Sequence, residues 1–219
     1  MKPLLIASTN EGKLKEIQLI LQGLPIPLAS LRDIPPVPEP QETGATFEEN
    51  ARLKAAAYAA AGRLVTVAED SGLAIDALNG APGIHSARYP GATYPDRFSR
   101  LYEELARHPR PWTARYVCAL AVVTWETGGS GGSGGSGRVL FESTATVEGE
   151  IWPEPRGSNG FGYDPIFYYP VYRRTFGEVS DELKLAVAHR GRAFLTFRDW
   201  VERGGLGVGP DDAPLPGGP

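Results

Sequence analysis

One cysteine, one methionine and three histidines are all the sulfur and imidazole that this 219-residue chain carries. The single Cys118 excludes an intramolecular disulfide and fits a reducing compartment, and its place in an apolar run reads as core packing. So few histidine and cysteine side chains do not easily build a zinc site, which leaves oxygen donors for any metal. Long apolar runs are also missing. The longest, Val-Cys-Ala-Leu-Ala-Val-Val at 117–123, is far short of the ~20 residues a membrane span needs. No basic-then-apolar leader opens the sequence, so the expectation is a cytoplasmic protein without membrane partners. Positive charge is in deficit too. A net charge of -4 argues against the basic surface that nucleic-acid binders present, so any cations that matter are local.

What is present is a chain with 42% hydrophobic residues, enough for one sizeable α/β core. A single domain over 1–203 is expected. Pro3-Leu4-Leu5-Ile6-Ala7 reads as a short buried strand running into Ser8-Thr9-Asn10-Glu11-Gly12-Lys13. Leu14, Ile17, Leu21 and Leu24 then recur at helical spacing. Backbone N–H groups, the helix dipole, hydroxyls, an amide and a lysine converge at that helix start and suit a phosphate chain. The pattern is not a Walker motif, and Ser, Thr and Asn are also ordinary helix caps. Further on, the apolar run 64–68 delivers Glu69 and Asp70 into Ser71-Gly72. Read as a strand ending in a turn, it aims two carboxylates at a hard metal ion, although a polar strand end explains an isolated Glu-Asp-Ser-Gly as well.

A proline-rich loop precedes Glu42-Thr43-Gly44-Ala45-Thr46-Phe47-Glu48-Glu49-Asn50-Ala51. Thr46 and Glu49 form a capping-box pattern for an alanine-rich helix that starts near Phe47 and closes at Gly62. Capping and the dipole account for Glu48 and Glu49. Glu42 lies outside the helix and is the better metal ligand. In Gly160-Phe161-Gly162-Tyr163-Asp164, glycines flank an aromatic ring that can stack on a base, with Asp164, Lys184, His189 and Arg190 at the base edge. A glycine-rich hairpin whose aromatics belong to the core fits that segment equally. Residues 128–137 repeat Gly-Gly-Ser between two strand-like runs, Arg115 to Trp125 and Val139 to Val147, and read as the tip of an extended antiparallel hairpin. The Gly- and Pro-rich stretch 204–219 reads as a floppy tail. The helix before it places Phe194, Phe197 and Val201 on one face.

With these segments in order, the chain resembles the Ham1 family of inosine triphosphate pyrophosphatases nearly end to end. The resemblance is carried by Ser8 to Lys13, Glu42-Thr43-Gly44 with Thr46-Phe47 and Asn50-Ala51, and Asp70-Ser71-Gly72-Leu73. It continues through Ala81-Pro82-Gly83-Ile84 with Ser86-Ala87-Arg88-Tyr89, Phe161-Gly162-Tyr163-Asp164-Pro165-Ile166-Phe167 and His189-Arg190-Gly191. Two small departures stand out: Glu69 where bacterial relatives often have Asp, and Ala188 where Ser is usual.

The resemblance implies a mixed twisted sheet flanked by helices, with a central cleft between two lobes. It implies Mg²⁺-dependent hydrolysis of purine nucleoside triphosphates with a non-standard base (ITP, dITP, XTP) to the monophosphate and pyrophosphate, which cleanses the nucleotide pool. Ser8, Thr9, Asn10, Glu11, Gly12 and Lys13 would bind the phosphates. Glu42 and Asp70 would hold the metal, with Glu69 as a further candidate, and Asp70 would serve as general base. Ser71, Phe161, Gly162, Tyr163, Asp164, Lys184, His189 and Arg190 would meet the rest of the substrate. A homodimer is implied, for which exposed aromatics such as Trp112 or Trp125 would be suitable. Two other readings stay open: a non-catalytic nucleotide-binding module, and a pyrophosphatase for modified pyrimidine triphosphates.

Overall fold

In the computed structural model, which describes residues 2–126 and 136–207, the first strand is a run of three buried residues. These are β1 (Leu4–Ile6). Helix α1 (Glu11–Leu21) follows, with Ile17, Ile20 and Leu21 turned inward. Strand β2 (Leu28–Ser30) pairs in parallel with β1, with Leu4 opposite Leu28. Helix α2 (Phe47–Gly62) buries Ala51, Ala55 and Ala59, small residues that let it approach the sheet closely. Then come β3 (Thr66–Ile75), α3 (Tyr94–Leu105), β4 (Thr113–Glu126), β5 (Ser136–Ile151), β6 (Phe167–Tyr169), β7 (Arg174–Thr175), α4 (Asp181–Leu185) and α5 (His189–Glu202). The strands form one sheet in the order β2-β1-β3-β4-β5-β6-β7. β1 is parallel to β2 and β3, whereas β6 is antiparallel to β5 and β7, so the sheet is mixed.

The chain divides into two compact units. One comprises residues 1–70, 119–144 and 193–219, the other 71–118 and 145–192, and the first of the four crossings between them falls after Asp70. The first unit's core sets α2 against β1, β3 and β4 through Leu5, Ala55, Tyr58, Ala68, Ala119 and Val123. In the second, Leu73, Ile75, Phe98, Leu101, Tyr116, Val147, Ile166, Phe167 and Phe176 pack together. The run 118–123 is buried throughout in β4, as a strand covered on both faces should be.

Several local expectations shift. The strand that was to end at Glu69-Asp70 continues through Ser71-Gly72 to Ile75, because Leu73, Ala74 and Ile75 find core on the far side. Thr46 caps α2 by accepting from the Glu49 amide, but the Glu49 carboxylate turns back to the Ala45 N–H rather than to Thr46. Gly62 ends α2 without adopting the left-handed conformation, which Arg63 takes. A side chain at 62 would instead press on Ile34 and Leu5. Trp112 is buried, with its indole N–H donated to the His108 carbonyl, and Trp125 is partly buried against the first unit's core. Trp112 is therefore not an exposed interface residue. β4 and β5 are neighbours, as a hairpin requires. All but the last two residues of the Gly-Ser segment 128–137 lie outside the described residues. Of the expected tail, 204–207 form turns at the end of α5 and 208–219 lie outside the described residues.

Candidate active site

Successive side chains leave a strand on opposite faces, so the adjacent acids of β3 acquire different partners. Glu69, 3% exposed, pairs at 3.1 Å with Lys13 from the first turn of α1. Asp70, 5% exposed, faces α2. Its Oδ2 accepts from the Asn50 side-chain amide at 3.2 Å, and Lys54 Nζ lies 3.7 Å from its Oδ1. Asn50 and Lys54 are one helical turn apart and so share a face of α2. The same Lys54 Nζ contacts Glu42 Oε1 at 2.7 Å, which brings Glu42 and Asp70 to one ammonium group.

Burial pushes the Asp70 carboxyl above its ordinary range; Lys54 and Lys13 oppose the rise, while Glu42 and Glu69 add to it. Burial alone would depress Lys54, but Asp70, Glu69 and Glu42 outweigh it and hold the ammonium above its usual value. Lys54 was not singled out by sequence reasoning. The available signal was a lysine four residues after an asparagine on the sheet-facing side of an alanine-rich helix.

The helix start is built as expected of a cap. Asn10 Oδ1 accepts from the Lys13 amide at 3.0 Å, and Ser8 Oγ accepts from the Asn10 amide at 3.3 Å. Thr9, Asn10 and Glu11 are exposed, and Ser8, Gly12 and Lys13 half-buried. The first amides of a helix lack intrahelical acceptors, so this turn presents N–H groups and a dipole of the sign that suits an anion.

A metal was expected at Glu42 and Asp70. Among the described residues no three His, Cys, Asp or Glu side chains gather closely enough to hold an ion alone. Two hard oxygen donors sharing a protein cation do fit an ion that keeps water and takes its remaining ligands from phosphate.

The second unit assembles the other candidates. Asp164, 1% exposed, accepts from Lys184 Nζ at 2.6 Å, from the Phe161 amide at 2.8 Å and from the Tyr116 hydroxyl at 3.2 Å. Gly160 sits at φ +70, where a side chain would collide with that carboxylate. Lys184 Nζ and Arg190 Cζ stand 4.7 and 5.5 Å from the Phe161 ring centroid, and the Arg190 guanidinium donates to Ser71 Oγ at 2.9 Å. His189 is buried and stacks on Tyr116 at 4.7 Å. Gly191 allows α5 to abut the Leu185 carbonyl, which holds the Lys184 segment beside His189 and Arg190. Asp164 thus acts as an anchor for Lys184. Tyr163 is a core tyrosine whose hydroxyl is donated to the Ser86 carbonyl, and Gly162 follows Phe161 at φ +68. Tyr116, which touches both Asp164 and His189, was not singled out from sequence, where it reads as an ordinary strand aromatic.

The model of the Ham1 family matches residues 4–200. The chain belongs to the Ham1 family. It is 43% identical over 202 residues to a dITP/XTP pyrophosphatase of Geobacter sulfurreducens, covering 91% of this chain and 96% of that protein. A Ham1 protein from Coxiella burnetii of known structure is 37% identical, with a TM-score of 0.77 over 93% of this chain and all of the other. A nucleoside-triphosphatase or dITP/XTP pyrophosphatase from Mycobacterium abscessus is 39% identical, with a TM-score of 0.66 over 89% and 97% of the two chains. Ham1 relatives of known structure thus share the mixed α/β fold of this chain.

Proposed function

We propose that this Ham1 protein hydrolyses ITP, dITP and XTP between the α and β phosphates, giving the nucleoside monophosphate and pyrophosphate with Mg²⁺ as cofactor. The observation that carries the reading is the Glu42–Lys54–Asp70 bridge, 2.7 and 3.7 Å on its two sides with Asp70 buried, in the same unit as the capped start of α1. That the Geobacter relative is a dITP/XTP pyrophosphatase supports the choice of substrate.

Ser8, Thr9, Asn10, Glu11, Gly12 and Lys13 supply hydroxyl, amide and ammonium donors for the phosphate chain. Glu42 and Asp70 would hold Mg²⁺, which when bound would offset phosphate charge and make water more acidic. Asp70, fixed by Asn50, accepts the proton of the attacking water. Burial raises its affinity for that proton, which suits a base. Lys54 and Lys13 balance negative charge on the phosphates. No step asks Glu69 to ligate, since its carboxylate is engaged with Lys13.

In the second unit, Arg190 and Lys184 present donors of the polarity that a 6-keto oxygen accepts. A guanidinium has five N–H groups and can serve Ser71 and a carbonyl together. Adenine offers a donor at that position, and leaving a buried donor unpaired costs about 1 to 3 kcal/mol, one to two orders of magnitude in selectivity. Among the described residues no helix is long and apolar enough to cross a membrane. A cytoplasmic location and a homodimer complete the proposal, the first supported by the lone reduced Cys118, the second by the family resemblance.

The test is the purified protein with Mg²⁺ against ITP, XTP, dITP, ATP and GTP, following pyrophosphate and orthophosphate separately, with Asp70→Asn as control. Pyrophosphate from the first three, lost in Asp70→Asn, is expected. Orthophosphate release overturns the bond assignment, and equal rates on ATP overturn the base assignment.

A further inference from the structure

Asn50 is 1% exposed, and its side chain spans two segments that are far apart in sequence. Its Oδ1 accepts from the Gly44 amide at 2.8 Å, and its Nδ2 donates to Asp70 Oδ2 at 3.2 Å. The orientation of the carboxamide is fixed by chemistry. A backbone N–H needs an acceptor and a carboxylate needs a donor, so the flipped amide would lose both bonds. Gly44 lies two residues from Glu42, in a loop with no strand or helix to hold it. A side chain at 44 would sit 2.6 Å from Glu49 Cβ and 2.8 Å from Asn50 Oδ1, so the loop can come this close only as glycine. Asn50 lies in the first turn of α2, a rigid element whose next turn carries Lys54. One amide therefore ties the Glu42 loop to the Asp70 end of the same ionic bridge.

We infer that Asn50 is a positioning residue, which sets the Asp70 carboxylate and the Glu42 loop in register for the reaction without touching substrate. The inference rests on the reading of Asp70 and Glu42 under the proposed function. Two separate arms follow from the two bonds. In Asn50→Asp one oxygen still accepts from Gly44, so the loop keeps its anchor, but the donor to Asp70 is gone and a like charge faces it. Asn50→Leu keeps the shape and removes both bonds.

Groups that orient a ligating or catalytic carboxylate are typically worth about 10- to 100-fold in activity or metal affinity. The expected result is therefore a kcat lower by about that factor in both variants, with KM for ITP within about 3-fold of the parent, since substrate contacts are intact. Hydrogen exchange at the Gly44 amide should stay slow in Asn50→Asp and quicken in Asn50→Leu. Parental kcat in Asn50→Asp, or a loss that merely tracks the fraction of protein unfolded, overturns the inference. A crystal structure of Asn50→Leu reads the same geometry without turnover. The Asp70 carboxylate is expected in a different rotamer, and an unmoved Asp70 overturns the assignment. Failure of the parent to release pyrophosphate would instead sink the proposed function and leave the Asp70 rotamer to decide the role of Asn50.

Discussion

Lys184→Met separates an internal anchor from a base-reading group. Lys184 and Asp164 are 2% and 1% exposed and 2.6 Å apart. Removing the ammonium leaves a buried carboxylate supported by the Phe161 amide and the Tyr116 hydroxyl. Breaking a buried pair from one side costs about 3 to 5 kcal/mol, because the surviving charge has lost its counter-charge but not its desolvation. At about 2 to 4 °C per kcal/mol for a chain of this size, the melting temperature should fall by roughly 6 to 20 °C. Adding Asp164→Asn removes the charge while an amide oxygen can still accept from Phe161 N–H, so the double variant should regain more than half of the loss. Urea unfolding followed by tryptophan fluorescence gives all four corners of the cycle, and buried Trp112 reports on the unit concerned. A loss below about 1 kcal/mol in Lys184→Met, or no recovery in the double variant, would show that the pair is not the charge-compensated anchor its geometry describes.

Further outcomes follow from other contacts. Gly157→Ala should cost about 3 kcal/mol, since φ +75 disfavours a side chain and its Cβ would run into the Gly177 carbonyl; chemical denaturation measures it, and a neutral effect would contradict that close approach. Burial, then the Glu104 hydrogen bond, pushes Tyr89 up to about 12, so the folded state holds that proton more tightly than the unfolded one. The Tyr89 contribution, read as the difference between the parent and Tyr89→Phe, should be constant below pH 10 and decline by on the order of 2 kcal/mol as pH rises to 12. Denaturant titrations at intervals across that range check the slope, and a flat profile refutes it. Removing divalent cations with EDTA should stop pyrophosphate release while lowering the melting temperature by less than about 2 °C, because Lys54 already compensates Glu42 and Asp70. A collapse of the fold on chelation would refute that role for Lys54.

How far the sequence could be read depended on whether a signal was local. Periodicity placed α1 and α5, a capping pattern with an alanine-rich run placed α2, and Phe194, Phe197 and Val201 are all buried on the expected face. Asn10 and Thr46 were legible as caps because a cap is satisfied within three residues. Ser71-Gly72 misled, since a turn dipeptide carries no information about whether Leu73 to Ile75 will find a core to join. Trp112 misled likewise, because its burial is decided by packing with residues of α3 and of β5, the latter remote in sequence. The helix boundary at Gly62 was right for another reason: the position answers to Ile34 and Leu5 rather than to left-handed backbone.

The candidate site shows the same divide in its chemistry. Acids were conspicuous because they are costly to place near an apolar strand. The groups that make such burial tolerable were not, since Asn50, Lys54 and Tyr116 each sit in a helix or strand where their residue type is unremarkable. All three lie 12 to 48 residues from the carboxylates they contact. Glu69 and Asp70 differ in the same way: adjacent in sequence, they look like one ligand pair, yet the alternation of the strand sends them to Lys13 and to the Asn50–Lys54 face of α2. A strand that stopped at Asp70, as the sequence suggested, would leave this carboxylate on a fraying end. Because β3 runs on to Ile75, whose side chain is fully buried, Asp70 is held mid-strand with backbone fixed on both sides. The rigidity that the proposed role of general base needs thus comes from apolar residues beyond it, and its orientation from Asn50, 20 residues before it.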